Sequence, residues 1–192
     1  LLLATLGEIF AERAGVLNLG IEGMMIMGAY SAFVTAYVTG NPWFGVLVAG
    51  AVGCGFSIIH AVASITLRAN QVVSGLALTL LGLGLSGVLG RPWGGRPLPN
   101  TLPEITIPGL SKIPILGPSL FEGHSLLVYI AILLVPVLWY VLFRTRIGIT
   151  IRSVGEDPAT ADSLGVSVSR VRYLSVAFGG LLAGIAGGYL SV

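Results

Sequence analysis

Residues 125–143, SLLVYIAILLVPVLWYVLF, contain no Asp, Glu, Lys or Arg. A hydrocarbon layer about 30 Å thick is crossed by roughly 20 helical residues, so a stretch of this length and polarity reads as a membrane-spanning helix. Four more stretches meet the same ruler: 24–39, which is short unless it borrows from the residues before it, 43–66, 72–89 and 173–192. In a bilayer every backbone group must be satisfied within the protein, which leaves helices or a closed barrel; stretches this long and continuously apolar specify helices. Composition agrees, since only 9% of residues are charged where a soluble domain carries about a quarter. The expected fold is therefore all-α, a polytopic transmembrane helical bundle forming one domain over 1–192.

Punctuation supports these spans. Asn41 reads as a helix cap before Pro42, Trp43 and the Trp139–Tyr140 pair sit at interfaces, and Pro136 is expected to kink its helix or recruit a polar neighbour. The chain starts at Leu1 with no cleavable leader pattern and stops inside an apolar stretch, so it reads as a fragment with helices missing at both ends. Residues 90–124 hold seven of the ten prolines, too many for regular helix, and are expected to form a turn-rich excursion outside the hydrocarbon, with room for a short segment that dips back. Basic residues set the orientation. Arg68, Arg144, Arg146, Arg152, Arg170 and Arg172 fall on one side and Arg91, Arg96 and Lys112 on the other, which places 144–172 in the cytoplasm and 90–124 outside.

Within 144–172, Asp157 caps a short helix with Pro158 at its first position, Ala159 to Leu164 follow, and Gly165 ends it in a left-handed turn. A helix of under two turns is not stable alone in water. It needs a socket, and its small residues Ala159, Ala161 and Ser163 would allow a partner to come close.

Four segments carry a family resemblance. VGEDPATADSLGV resembles the cytoplasmic coupling motif of ABC-transporter permeases of the branched-chain amino acid, ribose and nucleoside type. GEIFAERAGVLNLGIEGMMIMGAYSAF is similar to the signature of the simple-sugar and nucleoside branch, and NQVVSGLALTLLGLGLSGVLG and IPILGPSLF resemble further segments of that branch in the same order. The resemblance implies a multi-pass permease subunit in a bacterial or archaeal plasma membrane, itself no enzyme and needing no cofactor, with a nucleoside, or else a simple sugar, as the expected imported solute. It implies that Gly155, Glu156, Asp157, Pro158, Ala159, Ala161, Asp162, Ser163 and Gly165 couple to an ATP-binding subunit. The remaining partners are an identical or paralogous second permease subunit, an extracytoplasmic solute-binding lipoprotein and membrane lipid; a formal charge of +2 gives no reason to expect nucleic acid.

The resemblance also bears on GVLNLGIEGMM, where three glycines, Asn18 and Glu22 crowd the start of an apolar helix. Polar groups and broken backbone at membrane depth survive only against a cavity or a partner. A break at 15–23, with Asn18 capping the resumed helix and Glu22 favoured by its dipole, would place Asn18, Gly20, Glu22 and Ser74 on a solute path. Alternatively Asn18 and Glu22 satisfy each other or a neighbouring helix. Glu8 and Glu12 share a helical face and call for an arginine such as Arg13. Gln71 reads as a cap, and Gly180, Gly184 and Gly188 form a smooth packing face. His60 and His124 read as interfacial, with no metal site expected because neither has a second ligand at suitable spacing. A hydrolase built on Ser74 and His60 lacks an orienting third group. A facilitative channel for a small polar solute is the better rival, though it would have no use for a docking helix.

Overall fold

The computed structural model describes residues 1–105 and 123–192. Helices α1 (Leu2–Arg13), α2 (Ile21–Thr39), α3 (Pro42–Ala61) and α4 (Gln71–Gly90) precede the proline-rich loop, and α5 (Leu126–Arg144), α6 (Arg146–Glu156), α7 (Pro158–Ser163) and α8 (Val168–Ser191) follow it. Among the described residues, five helical segments are long and apolar enough to cross a membrane: Ile21–Thr39, Pro42–Thr66, Gln71–Trp93, Leu126–Arg144 and Val168–Ser191. The chain is a polytopic all-α bundle. In the proline-rich loop the described residues form a single 3₁₀ turn, Arg91–Trp93, and a two-residue antiparallel pairing, β1 (Glu104–Ile105) with β2 (His124–Ser125). The IPILGPSLF segment and the expected inward dip lie outside the described residues.

Helix α8 is the hub, packed against α1, α2 and α3 at once. Its small residues make this possible. A Cβ added at Gly180 would collide with Ser57, one at Gly184 with the Ala49 carbonyl, and one at Gly188 with Ala49 Cβ at 2.7 Å, so these three face α3. Gly179 instead meets α1, where a Cβ on Gly7 would come within 2.8 Å of the Gly179 carbonyl. Around this glycine contact Leu3, Leu6, Phe10, Met24, Leu182 and Ala186 form the largest apolar core.

Two boundaries differ from expectation. The last span starts at Val168, not 173, so Arg170 and Arg172 belong to a helix and not to a loop. The first starts at Ile21, because the break before it ends at Gly20. Helix α6 was not anticipated at all. It is amphipathic, burying Gly148, Ile151 and Val154, and Thr145 caps it through Gly148 N–H at 3.3 Å.

Candidate functional site

The break between α1 and α2 is a seven-residue stretch, 14–20; its first three N–H groups bond back to α1 carbonyls and the Gly20 carbonyl accepts from Met24 N–H, but much of the rest has no helix or sheet to satisfy it. Side chains from four helices do so instead. Glu8 Oε1 on α1 accepts from Asn18 N–H at 2.9 Å. From α4, Gln71 Oε1 accepts from Leu17 N–H at 2.8 Å and Thr79 Oγ1 donates to the Leu19 carbonyl at 3.1 Å. His60 Nε2 on α3 lies 3.2 Å from the Leu17 carbonyl, and Arg172 Nε on α8 donates to the Ala14 carbonyl at 3.1 Å. A carbonyl only accepts, so His60 Nε2 carries a proton; in the neutral ring Nδ1 then accepts from Ser74 Oγ, 3.1 Å away. This is how irregular backbone is tolerated at membrane depth: polar groups of the break are matched from neighbouring elements.

Close approach of α4 completes the cradle. A Cβ on Gly75 would stand 2.8 Å from Leu19 N, and one on Gly82 would stand 2.6 Å from the Gly23 carbonyl. Gly15 turns the chain out of α1 at φ +81°, a conformation other residues adopt only with strain.

Several expectations for this region need correction. Asn18 is buried at 1% exposure, but its Oδ1 accepts from Gly20 N–H at 3.0 Å, a turn within the break and not a cap on α2. Glu22 sits in the first turn of α2 with its side chain exposed, so it does not pair with Asn18. Gly20 is buried against Leu78 and Asn18. His60, expected at an interface, is 1% exposed because it bridges the break to Ser74. Gln71 does not cap α4; Asn70 does, accepting from Val72 and Val73 N–H at 3.0 and 3.2 Å. Glu8 finds a backbone amide in place of Arg13, whose guanidinium lies 5.7 Å from the Phe143 ring centre. Beside the bridge, a recess of about 550 Å³ is bordered by His60, Asn70, Ser74, Leu78 and Leu81.

The second region is α6–α7. Asp157 Oδ1 accepts from Ala159 and Thr160 N–H at 3.0 and 3.1 Å, and Thr160 Oγ1 donates to Oδ2 at 2.5 Å. The Thr160 hydroxyl, followed by the backbone amides, holds the Asp157 carboxyl below its ordinary value. Pro158 takes the first helical position, and Gly165 closes the turn at φ +83°. Ala159, Thr160, Asp162, Ser163 and Leu164 are exposed, Leu164 at 78%. Ala161 is not on that face. It is 3% exposed and packs into the chain, because a helix this short has one side resting on α6 and α8. Gly155 and Glu156 end α6, ahead of the short helix. Gly155 presses on the Arg13 carbonyl and Gly15, so the end of α6, just ahead of α7, touches the start of the break.

The model of the family described as branched-chain amino acid transport system / permease component matches residues 1–192. The chain belongs to this family. Among permease relatives, it is 46% identical over its whole length to the putative glucose ABC transporter permease protein of Haloferax volcanii, covering 59% of that protein. It is 40% identical over 98% of its length to the guanosine ABC transporter permease protein of Bacillus subtilis, covering 62%. It is 39% identical over 97% of its length to the nucleoside ABC transporter permease protein of Lactococcus lactis, again covering 62%. The chain thus spans about three fifths of the curated permeases it matches. No solved structure gives a significant match.

Within this permease chain, Glu8, His60, Gln71, Thr79 and Arg172 were missed as partners of the break. Their polarity inside or beside apolar spans was the available signal; their pairing across 10 to 158 positions was not.

Proposed function

We propose that the chain forms the core of a permease subunit of an ATP-driven importer for a nucleoside or simple sugar. The observation that carries this reading is α7: a short helix capped at its start by Asp157, resting one side on α6 and α8, leaving Leu164 exposed, and following directly on the end of α6 that touches the break. An exposed leucine on a capped helix fits a socket on an ATP-binding subunit, and the Gly155–Arg13–Gly15 contact offers a direct route from that socket to residues 14–20. In this reading 144–172 face the cytoplasm and 90–124 face a solute-binding lipoprotein. A second permease subunit, identical or paralogous, would complete the path.

Glucose, guanosine and nucleosides, the solutes in the relatives' names, share a neutral ring bearing hydroxyls. Exposed Glu22 can accept from hydroxyls, and the recess beside Ser74 adds a group that donates and accepts. An amino-acid zwitterion would want matched opposite charges, which this region supplies poorly.

The test is uptake of labelled guanosine, adenosine, glucose and leucine by proteoliposomes holding the full-length transporter and its ATPase. ATP-dependent accumulation of a nucleoside or glucose is expected. Equilibration without ATP, or uptake of leucine alone, would overturn the reading. Leu164→Asp should abolish uptake and solute-stimulated ATP hydrolysis while the permease stays in the membrane.

A further inference from the structure

Two aromatic rings near the end of α5, Trp139 and Phe143, lie 6.0 Å apart and carry three arginines. Arg152 Cζ stands 5.2 Å and Arg13 Cζ 5.7 Å from the Phe143 centroid, and Arg144 Cζ stands 5.9 Å from that of Trp139. Among the described residues none of the three has a carboxylate within ion-pair distance. Glu12 and Glu156 line the same recess of about 520 Å³ as Arg13 and Arg152 and pair with neither. Gathering three like charges without partners is unfavourable unless an anion joins them.

We propose that this patch binds the phosphate headgroup of an anionic phospholipid of the membrane the protein spans. Stacking on a ring uses the flat face of a guanidinium and leaves its edge N–H donors free. Only one of these is used internally, Arg152 Nε to the Gly148 carbonyl at 3.4 Å. Arg13 and Arg152 border one recess, and forked guanidinium donors match the oxygens of a phosphate.

Position selects a lipid over a soluble phosphate. The patch sits at the end of the span Leu126–Arg144, where hydrocarbon gives way to headgroups and aromatic rings collect. Trp139, Tyr140 and Ile149 are 53%, 58% and 57% exposed around it, offering apolar surface to the glycerol and upper acyl chain. The site does not depend on which solute is transported, and it borders the coupling segment through Gly155 and Glu156.

The experiment uses the intact transporter purified in detergent, loaded with equal phosphatidylglycerol and phosphatidylcholine, with retained lipid counted by mass spectrometry. Phosphatidylglycerol should be retained in preference. Arg13→Gln with Arg152→Gln should reduce that retention about tenfold or more, whereas Arg91→Gln at the far end of α4 should leave it unchanged. Phe143→Leu, which keeps every charge and removes the platform, should give an intermediate loss and guards against a folding defect in the double variant. Equal retention of both lipids, an unchanged double variant, or displacement of the lipid by millimolar inorganic phosphate would each overturn the proposal.

Discussion

Arg172 Nε donates to the carbonyl of Ala14 across 158 positions of sequence, so the first turns of α8 hold the start of the break in place. Ala14 is fully buried, so its carbonyl depends on this donor. Arg172→Met should lower the thermal midpoint of the purified protein, consistent with the roughly 1–3 kcal/mol cost of a buried unpaired acceptor. Arg172→Lys should recover part of the loss. Equal midpoints for wild type and Arg172→Met would mean the contact carries no stability.

The His60 bridge makes a second case. His60→Leu strands both the Leu17 carbonyl and Ser74 Oγ, whereas Ser74→Ala strands only His60 Nδ1. Because both act through one network, a double-mutant cycle on thermal unfolding should show a coupling of about 0.5–3 kcal/mol. Additive losses would show that the two groups act independently.

Two glycines on α4 should respond oppositely to the same change. Gly82 lies against the Gly23 backbone, while nothing stands within 4 Å of a Cβ built on Gly84. Gly82→Ala should destabilise by about 1–3 kcal/mol through overpacking, and Gly84→Ala should be neutral or mildly stabilising through helix propensity. A loss of thermal midpoint at Gly84 comparable with that at Gly82 would contradict the packing described for α4.

The cap of α7 has a defined pH dependence. The Asp157 carboxyl is held below its ordinary value of 3.8, so its contribution is present at any pH above that value and disappears only as pH falls through the lower, folded value. Coupled ATP hydrolysis should therefore show no step from Asp157 between about pH 5 and 8. Asp157→Asn keeps the accepting oxygen and should retain most coupling, while Asp157→Ala should lose it. Matching activities of the two variants would remove the cap from the mechanism.

The five spans were legible because apolar runs of helical length admit few other structures. The break was legible too, since Asn18, Glu22 and three glycines have no place inside an ordinary buried helix. What completes the break was not: Gln71 and His60 lie 54 and 43 positions from Leu17, and nothing local to either announces its partner. Helix α6 escaped notice for a different reason. Ile147, Ile149 and Ile151 alternate with a period of two, the pattern of a strand, and only the packing of Gly148 and Val154 shows the helix. The inward turn of Ala161 was likewise hidden, because six helical residues are too few for periodicity to say which side is covered.

The glycines of α8 carry a genetic consequence. Gly179 touches α1, Gly180 and Gly184 touch α3, and a Cβ on Gly187 would strike the Met25 carbonyl of α2. Enlargement at any of these glycines therefore displaces another helix rather than a flexible side chain. Random mutagenesis should return few functional survivors within residues 179–188. A second-site suppressor of enlargement at Gly188 should arise at Ala49, where Ala49→Gly removes the methyl that a new Cβ would meet, and none should arise at Gly7 or Gly53, which have no bulk to give up.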